Sequence, residues 1–314
     1  MTKVLVVGSI NVDYVIGTDR LPVLGETIVG KGFSMNFGGK GANQAVALAR
    51  AGCSVTMLGA VGEDHPGELA LEHLKACGID PAGVSRVPGP TGAAVITVCG
   101  GNNHIILDEG ANGKVTPAYV AEREDLFAKA DVIVMQYEIP MESIVFAAKL
   151  AKKHGKPVVL NPAPAKDADP ELFGYVDLVI PNEFETKSIV GIEPKTCSRV
   201  GEAVVAFRRM GCRNVVITLG VHGCAYTDDD AVCFAGIYPV KAVDSTAAGD
   251  SFIGGLCAKL GEGCDIRDAI AYASAVSAIT VSRPGAGASI PDAAETEEFL
   301  KHSVQQPCTL PEGE

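Results

Sequence analysis

The second half of the chain alternates short apolar runs with helix-like runs, and this alternation restricts the fold more than any other feature. It predicts strands at Val132–Gln136, Val158–Leu160 and Val215–Leu219, and helices at Met141–His154 and Arg199–Met210. Strands that are almost wholly apolar are buried on both faces, and helices between them connect parallel neighbours. The sequence therefore predicts an α/β fold with helices on both faces of a mainly parallel sheet.

The segments 12–37 and 91–112 lack this rhythm. They contain strand-like runs separated by turn residues, among them a strand expected at Glu26–Phe37. Gly100-Gly101-Asn102-Asn103 lies between two apolar runs and predicts a β-hairpin. The two segments together predict a small antiparallel sheet beside the main one.

Composition excludes several classes of protein. A net charge of −12 disfavours a nucleic-acid partner, because neutralising phosphates requires a basic face. The ten cysteines form no C-x-x-C pair, and the closest two, Cys257 and Cys264, are seven positions apart, which favours free thiols in a reducing, cytoplasmic setting. The apolar runs are too short or too interrupted to span a membrane, and Met1–Val4 leads into a strand without a signal peptide.

Several polar residues fall at or just after the ends of predicted strands: Asn11, Glu138, Asn161, Asn182 and Gly220. Open α/β sheets bind ligands outside the carboxyl ends of their strands. These residues are therefore expected to share one crevice.

A glycine-rich stretch with one lysine, Gly38–Ala45, precedes a small-residue helix. It lacks the G-x-x-x-x-G-K-[ST] spacing of a P-loop. It is either a tight turn with an exposed Lys40 or a surface for a polyhydroxylated ligand that includes Asn43. Asn11 and Asp13 point to the same side of an extended backbone and either grip two adjacent hydroxyls or form a turn.

The stretch Asp244–Phe252 feeds the start of another apolar helix. Small residues there let a bulky anion approach the backbone, and a helix N-terminus offers unpaired N–H groups with a positive dipole end. Asp250 is then either an N-cap or a base beside an anion site.

Three further groups allow two interpretations each. Asn182 with Glu185 is an N-cap with a first-turn acid, or an outer-sphere magnesium site. Glu138, just before Pro140, is a helix-entry charge or a ligand group. The loop 283–289 is a Gly/Pro helix stop or a ring of carbonyl oxygens for a monovalent cation.

Together these stretches resemble the ribokinase-like sugar kinases, also called PfkB carbohydrate kinases. Gly38–Ala45 resembles the first signature of that family and Asp244–Phe252 the second, while Asn161–Ala165, Pro181–Glu183 and Thr218–Gly220 match in order and spacing. The resemblance covers Val4 to about Pro291. It implies a three-layer αβα kinase domain with a small β-sheet lid that pairs in a homodimer. The implied division is 1–11, 38–90 and 113–302 for the kinase domain, 12–37 and 91–112 for the lid, and 303–314 for a flexible tail.

The resemblance also implies an activity, the transfer of a phosphoryl group from ATP to the 5-hydroxyl of D-ribose. Asp250 would be the base, with the backbone N–H groups of Ala247, Ala248, Gly249 and Asp250 as the anion hole. The pentose would be held by Asn11, Asp13, Gly39, Lys40, Gly41, Asn43 and Glu138. The ATP site would comprise Asn182, Glu185, Thr218, Gly220, Gly223, Gly249 and Ser274, with Asn182 and Glu185 tied to Mg²⁺. An activating K⁺ would lie among Asp244, Thr246, Thr280, Arg283, Gly285 and Ser289.

Two alternatives stay open at this point. One keeps the chemistry but changes the acceptor to 2-deoxyribose, another pentose or a nucleoside. The other is a non-catalytic, sugar-sensing protein on the same fold, against which the presence of Gly249 and Asp250 argues. Ser274 stands where some members of the family carry a histidine beside the adenine.

Overall fold

The computed structural model of the chain describes residues 1–100, 102–167 and 169–313. In chain order the strands are β1 Lys3–Val7, β2 Asn11–Thr18, β3 Lys31–Gly38, β4 Ser54–Gly62, β5 Asp80–Val87, β6 Gly92–Cys99, β7 Asn102–Asp108, β8 Val132–Gln136, β9 Val158–Asn161, β10 Leu178–Val179, β11 Asn214–Thr218, β12 Cys224–Asp228 and β13 Ala231–Ala235. The α-helices are α1 Lys40–Arg50, α2 His65–Ala76, α3 Pro117–Ala121, α4 Glu124–Lys129, α5 Met141–Lys153, α6 Pro170–Phe173, α7 Glu183–Val190, α8 Cys197–Arg209, α9 Ala248–Gly261, α10 Ile266–Val281 and α11 Ala293–His302.

The central sheet has the strand order β13-β12-β11-β10-β9-β8-β1-β4-β5 within the described residues. All neighbours from β5 to β11 pair in parallel, whereas β12 and β13 are antiparallel additions at one edge. The mainly parallel sheet that the sequence predicts is therefore confirmed.

Side-chain alternation along β1 divides the core into two layers. Val4 and Val6 pack with α1, α9 and α10 on one face of the sheet. Leu5 and Val7 pack with α5 and α8 on the other face. Because both faces of the strand are covered, its sequence is continuously apolar. The result is the predicted three-layer αβα arrangement.

The second sheet has the order β3-β2-β6-β7. The pairs β2–β3 and β6–β7 are antiparallel, but β2 and β6 run in parallel, so the prediction of a purely antiparallel sheet is wrong. The hairpin between β6 and β7 is present, although Gly101 of its turn lies outside the described residues. Asn11 and Gly38, assigned from sequence to the kinase domain, are the paired end residues of β2 and β3 in this sheet.

Several elements differ from the sequence-based expectation, and β3, β5 and α9 differ most. Strand β3 begins at Lys31, directly after Gly30, which interrupts the run that was expected to start at Glu26. Strand β5 was not expected, since Pro81 and Gly83 weaken its pattern; it lies at the sheet edge, where proline is tolerated. Helix α9 begins at Ala248, four residues before the expected Phe252, which places Asp250 inside the helix.

The C-terminal segment also differs from expectation. Residues 303–313 make backbone contacts with the residues that follow β13 and with the start of α8, and Leu310 packs against the core. The expected frayed tail is instead an ordered extended segment; Glu314 lies outside the described residues.

The ten cysteines are all free thiols, as predicted. None of the helices formed by the described residues combines the length and apolar character of a membrane span.

Candidate functional site

The start of α1 is closed by protein groups. The Lys40 N–H donates to Glu138 Oε2 (2.9 Å), and the Gly41 N–H donates to Ser9 Oγ (3.2 Å). Ser9 Oγ in turn donates to the same Glu138 oxygen (2.6 Å). The glycines allow this approach: a Cβ on Gly41 would lie 2.6 Å from Ser9 N, and Gly39 has a φ of +88°. The first two donors of this helix are thus occupied, and an anion has no access to them.

Asn11 and Asp13 are buried at the start of β2. Asn112 Nδ2 donates to Asn11 Oδ1 (2.7 Å), and Asn112 Oδ1 accepts from the Ile10 N–H (2.9 Å). Asn112 therefore fixes the orientation of the Asn11 amide. The Asp13 carboxylate packs against Gly38, where a Cβ would lie 2.2 Å from Asp13 Oδ2.

Asp250 lies in the first turn of α9 with its carboxylate buried. Asn43 Nδ2 donates to Oδ2 (3.2 Å), and Gln44 Nε2 donates to Oδ1 (2.9 Å). The side chain does not cap α9, because the N-cap residue is Ala247. The N-cap interpretation of Asp250 is therefore wrong, and its carboxylate is held by α1 instead.

The start of α9 is more open than that of α1, although its Ala248 N–H donates to Ser245 O (3.2 Å). No side chain caps this turn, and a Cβ on Gly249 would meet no atom within 4 Å. Ala247 adopts a left-handed φ of 60°, a conformation that a non-glycine residue holds only when its surroundings impose it. A 14-residue helix with an uncapped N-terminus and open space above a glycine suits an anion.

A cavity of about 530 Å³ extends from this turn along the carboxyl ends of the strands. Its lining combines Lys40, Asn161 and Asp250 with the predicted nucleotide-site residues Asn182, Glu185, Thr218, Gly220, Gly223, Gly249 and Ser274. An apolar group completes the lining, comprising Ile237, Tyr238, Val240, Ala278 and Val281. The volume is that of a site for a small molecule.

Asn182 and Glu185 form a capping box at the start of α7. Asn182 Oδ1 accepts from the Glu185 N–H (2.8 Å), and Glu185 Oε2 accepts from the Asn182 N–H (2.9 Å). Burial raises the pKa of Glu185, against the opposing effects of this hydrogen bond and of Lys40. Asn182 and Glu185 thus cap α7, as the first of their two interpretations predicts. A hydrated Mg²⁺ remains compatible with it, because carboxylate oxygens can accept further hydrogen bonds from metal-bound water.

The two loops of the predicted cation site are joined by Asp244. Asp244 Oδ1 accepts from the Thr246 N–H (2.9 Å), and Oδ2 accepts from the Gly285 N–H (3.1 Å). Thr280 and Ser289 donate their hydroxyls to backbone carbonyls of their own segments, and Arg283 pairs with Glu295. From Thr280, Arg283 and Ser289, only backbone or hydroxyl oxygens remain as cation ligands.

Burial and neighbouring charges shift the pKa values of Asp13 and Lys40. Burial, followed by the charges of Glu138 and Asp250, raises the pKa of Asp13 to about 6. Burial by itself lowers the pKa of a lysine, but Asp250, Glu138 and Glu185 together raise the pKa of Lys40 above its ordinary value. Lys40 thus stays protonated among three acids and supplies the positive charge of the crevice.

We expect Asp13→Asn to change the pH dependence of stability. The folded-state pKa of about 6 lies above the ordinary 3.8, so the wild type loses stability as pH rises from about 4 to about 6. This difference between the folded and unfolded pKa of Asp13 corresponds to roughly 3 kcal/mol in the free energy of unfolding. Relative to the wild type, the free energy of unfolding of Asp13→Asn should therefore rise by up to that amount between pH 4 and pH 7. Urea titrations at both pH values measure it; parallel pH profiles for the two proteins would contradict the assignment.

Four polar residues of the site were given no role by the sequence analysis: Ser9, Gln44, Asn112 and Gln136. Gln44 is the central one, since it contacts Asp250, donates to Asn161 Oδ1 (3.1 Å) and accepts from Gln136 Nε2 (2.6 Å). Helical spacing provides a signal for it, because positions 40, 43 and 44 share one face of α1.

The fold and this cavity define an α/β protein with a cavity of small-molecule size beside the start of α9. The chain matches the pfkB family carbohydrate kinase over residues 1–293. It is 38% identical to a ribokinase from Haemophilus influenzae, covering 96% of this chain and 100% of the relative. It is 32% identical to a deoxyribokinase from Salmonella typhi, covering 95% and 98% of the two chains. A solved Arabidopsis thaliana ribokinase complexed with ribose and ATP superimposes with a TM-score of 0.90 at 32% identity, covering 96% and 98%.

A match over nearly the whole length shows the family directly. The chain belongs to the pfkB family of carbohydrate kinases.

Proposed function

We propose that the protein phosphorylates D-ribose at its 5-hydroxyl, with ATP as the donor. The observation that carries the proposal is the position of Asp250: a buried carboxylate, fixed by two amides, in the first turn of a helix whose N-terminus is open. The names of the relatives favour a pentose kinase over a sensor. A sensor has no need for a base beside an anion site.

The pentose lies against the crevice between α1 and the second sheet. Asn11 and Asp13 accept from adjacent hydroxyls, and Gly39, Gly41, Asn43, Lys40 and Glu138 surround the ring. The two ends of the sugar are thereby fixed, so that its primary alcohol faces Asp250. Alignment of this kind supplies much of the catalysis in phosphoryl transfer, which needs little covalent assistance.

Asp250 accepts the proton of the 5-hydroxyl as the oxygen attacks the γ-phosphorus, while the bond from that phosphorus to the β–γ bridging oxygen breaks and ADP leaves. The backbone N–H groups of Ala247, Ala248, Gly249 and Asp250 stabilise the charge on the transferred group. Each donor of this kind typically lowers the barrier by about 3–4 kcal/mol. The nucleotide lies along Asn182, Thr218, Gly220, Gly223 and Ser274. Asn182 and Glu185 would hold a hydrated Mg²⁺, which would supply positive charge to the phosphates.

The second sheet is proposed to be a lid and a dimer contact. It covers the crevice through Asn11 and Asp13 and excludes water, which would otherwise hydrolyse ATP. One face of this sheet exposes Phe33, Met35, Val95 and Ile106, an apolar group that extends over neighbouring strands. A homodimer through these faces accounts for it, and a monomer mass in solution would contradict it. The free thiols suit a cytoplasmic enzyme.

The test is a coupled ATPase assay across a panel that contains D-ribose, 2-deoxyribose, other pentoses and nucleosides. We expect the highest kcat/KM for D-ribose, because Asn11 and Asp13 offer two acceptors to adjacent hydroxyls. A site built for a hydroxyl loses affinity when the hydroxyl is missing. A preference for 2-deoxyribose would establish the alternative acceptor, and no turnover with any sugar would favour a sensor.

The same assay in KCl and NaCl tests the cation loops. Potassium is expected to stimulate turnover, because Asp244 ties together two loops whose remaining ligands are neutral oxygens. Equal rates in the two salts would refute the proposed K⁺ site.

A further inference from the structure

The C-terminal segment 303–313 follows α11 and lies outside the family match, which ends at residue 293. Its first contact is with the residues that follow β13. The Gln306 N–H donates to Ile237 O (2.9 Å), and Gln305 Nε2 donates to Gly236 O (2.9 Å). Ile237 lines the nucleotide cavity, so the segment supports that wall from outside.

Two glycines let three backbone segments stack without an intervening side chain. A Cβ on Gly236 would lie 2.0 Å from Gln306 O, and a Cβ on Gly223 would lie 2.0 Å from Ala235 O. Gly223 in turn lines the cavity. The position of the C-terminal segment is therefore transmitted by direct contact, through Gly236, to the loop that faces the nucleotide. Close-packed layers of this kind shift together, because they have no flexible side chain to absorb a displacement.

The far end of the segment is anchored on α8. The Cys197 N–H donates to Pro311 O (2.8 Å), and the Ser198 N–H donates to Glu312 O (3.2 Å). These are two of the free donors that every helix N-terminus carries. Between the two anchors, Thr309 Oγ1 lies 2.8 Å from His222 Nδ1, on the same loop as Gly223. The segment is thus fixed at both ends and touches the nucleotide loop between them.

We propose that residues 303–313 position the Gly220–Gly223 loop and the Ile237 wall, and thereby set the affinity for the nucleotide. The inference rests on the proposed kinase function, since it assigns this cavity to ATP. The segment touches neither Asp250 nor Asp13, so its effect falls on nucleotide binding and leaves the sugar and the chemical step unchanged.

Removal of the segment tests the proposal. In a variant that ends at Ser303, we expect the KM for ATP to rise about fivefold, with kcat and the KM for the sugar within about twofold of the wild type. Calorimetric titration with ADP should show the same loss of affinity without any sugar. An unchanged KM for ATP, with only a lower unfolding temperature, would mean that the segment merely caps α8 and would overturn the proposal.

Gly236→Ala gives a second test that does not depend on the folding of a truncated chain. Its methyl group clashes with Gln306 O and should displace the segment, raising the KM for ATP about as much as the truncation does. Added to the truncated chain, it should cause no further rise, because its partner is gone. If Gly236→Ala raised the KM for ATP equally in the full-length and the truncated chain, its effect would not pass through the C-terminal segment, and the proposal would be overturned. If the wild-type protein showed no turnover at all, the proposed kinase function would be refuted. The ADP titration would then still test whether the segment affects nucleotide affinity.

Discussion

Asp250→Asn should lower kcat with D-ribose and ATP by about 1,000-fold, within the range of a general base. The variant keeps the shape of the side chain but cannot accept the proton. Its amide nitrogen can face Asn43, whose own amide can turn to accept, while Gln44 stays fixed by Gln136. The folded site and the Kd for the sugar should therefore change by no more than about threefold.

The measurement is kcat by coupled assay together with sugar affinity by calorimetry. Asp268→Asn, which neutralises an exposed acid on the next helix, is the matched control and should keep full activity. If Asp250→Asn turned over at the wild-type rate, Asp250 would not be the catalytic base. Loss of sugar binding along with turnover would make Asp250 a structural residue.

Gln44→Leu should lower kcat about 30-fold without a matching rise in the KM for either substrate. Gln44 reaches no proposed reacting atom; it is a positioning residue that donates to Asp250 Oδ1 and is itself held by Gln136. Without it, the carboxylate keeps only the longer bond from Asn43 and leaves its attacking geometry for part of the time. A misplacement of about 1 Å can cost about 100-fold in rate, and a partial loss of orientation should cost less.

The effect should depend on Asp250. In a Gln44→Leu/Asp250→Asn double variant we expect no more than about a twofold further loss, since the group being positioned no longer acts as a base. Leu48→Ala, one turn along the buried face of α1, is the control for destabilisation and should retain kcat. Additive losses in the double variant would show that Gln44 acts independently of Asp250.

The parts of the fold that the sequence predicts well are those with a local signal. Strand β8 and helix α7 have the predicted limits, because one is an uninterrupted apolar run and the other lies between a capping residue and a glycine in the left-handed conformation. The limits of β3 and α9 were less accurate. Gly30 interrupts the pattern before β3, and the small residues Ala247, Ala248 and Gly249 weaken it at the start of α9.

The contacts within the site could not be predicted from spacing. Gln44 and Asp250 are 206 positions apart, and Ser9 and Glu138 are 129 apart. Helical spacing places Gln44 on the same face of α1 as Lys40 and Asn43, but it does not show which carboxylate the glutamine contacts. The resemblance to the family supplied the candidate residues, whereas the closed start of α1 and the open start of α9 emerge only from the fold. The C-terminal segment was mistaken for a frayed tail because its anchors are backbone groups, which leave no mark on composition.

The most direct test is a crystal structure with D-ribose and a non-hydrolysable ATP analogue both bound. We predict an Asp250 carboxylate oxygen within about 3 Å of the 5-hydroxyl oxygen, with the γ-phosphate facing the N–H groups at the start of α9. A carboxylate turned towards α1 alone, with the 5-hydroxyl beyond hydrogen-bonding distance, would contradict the account.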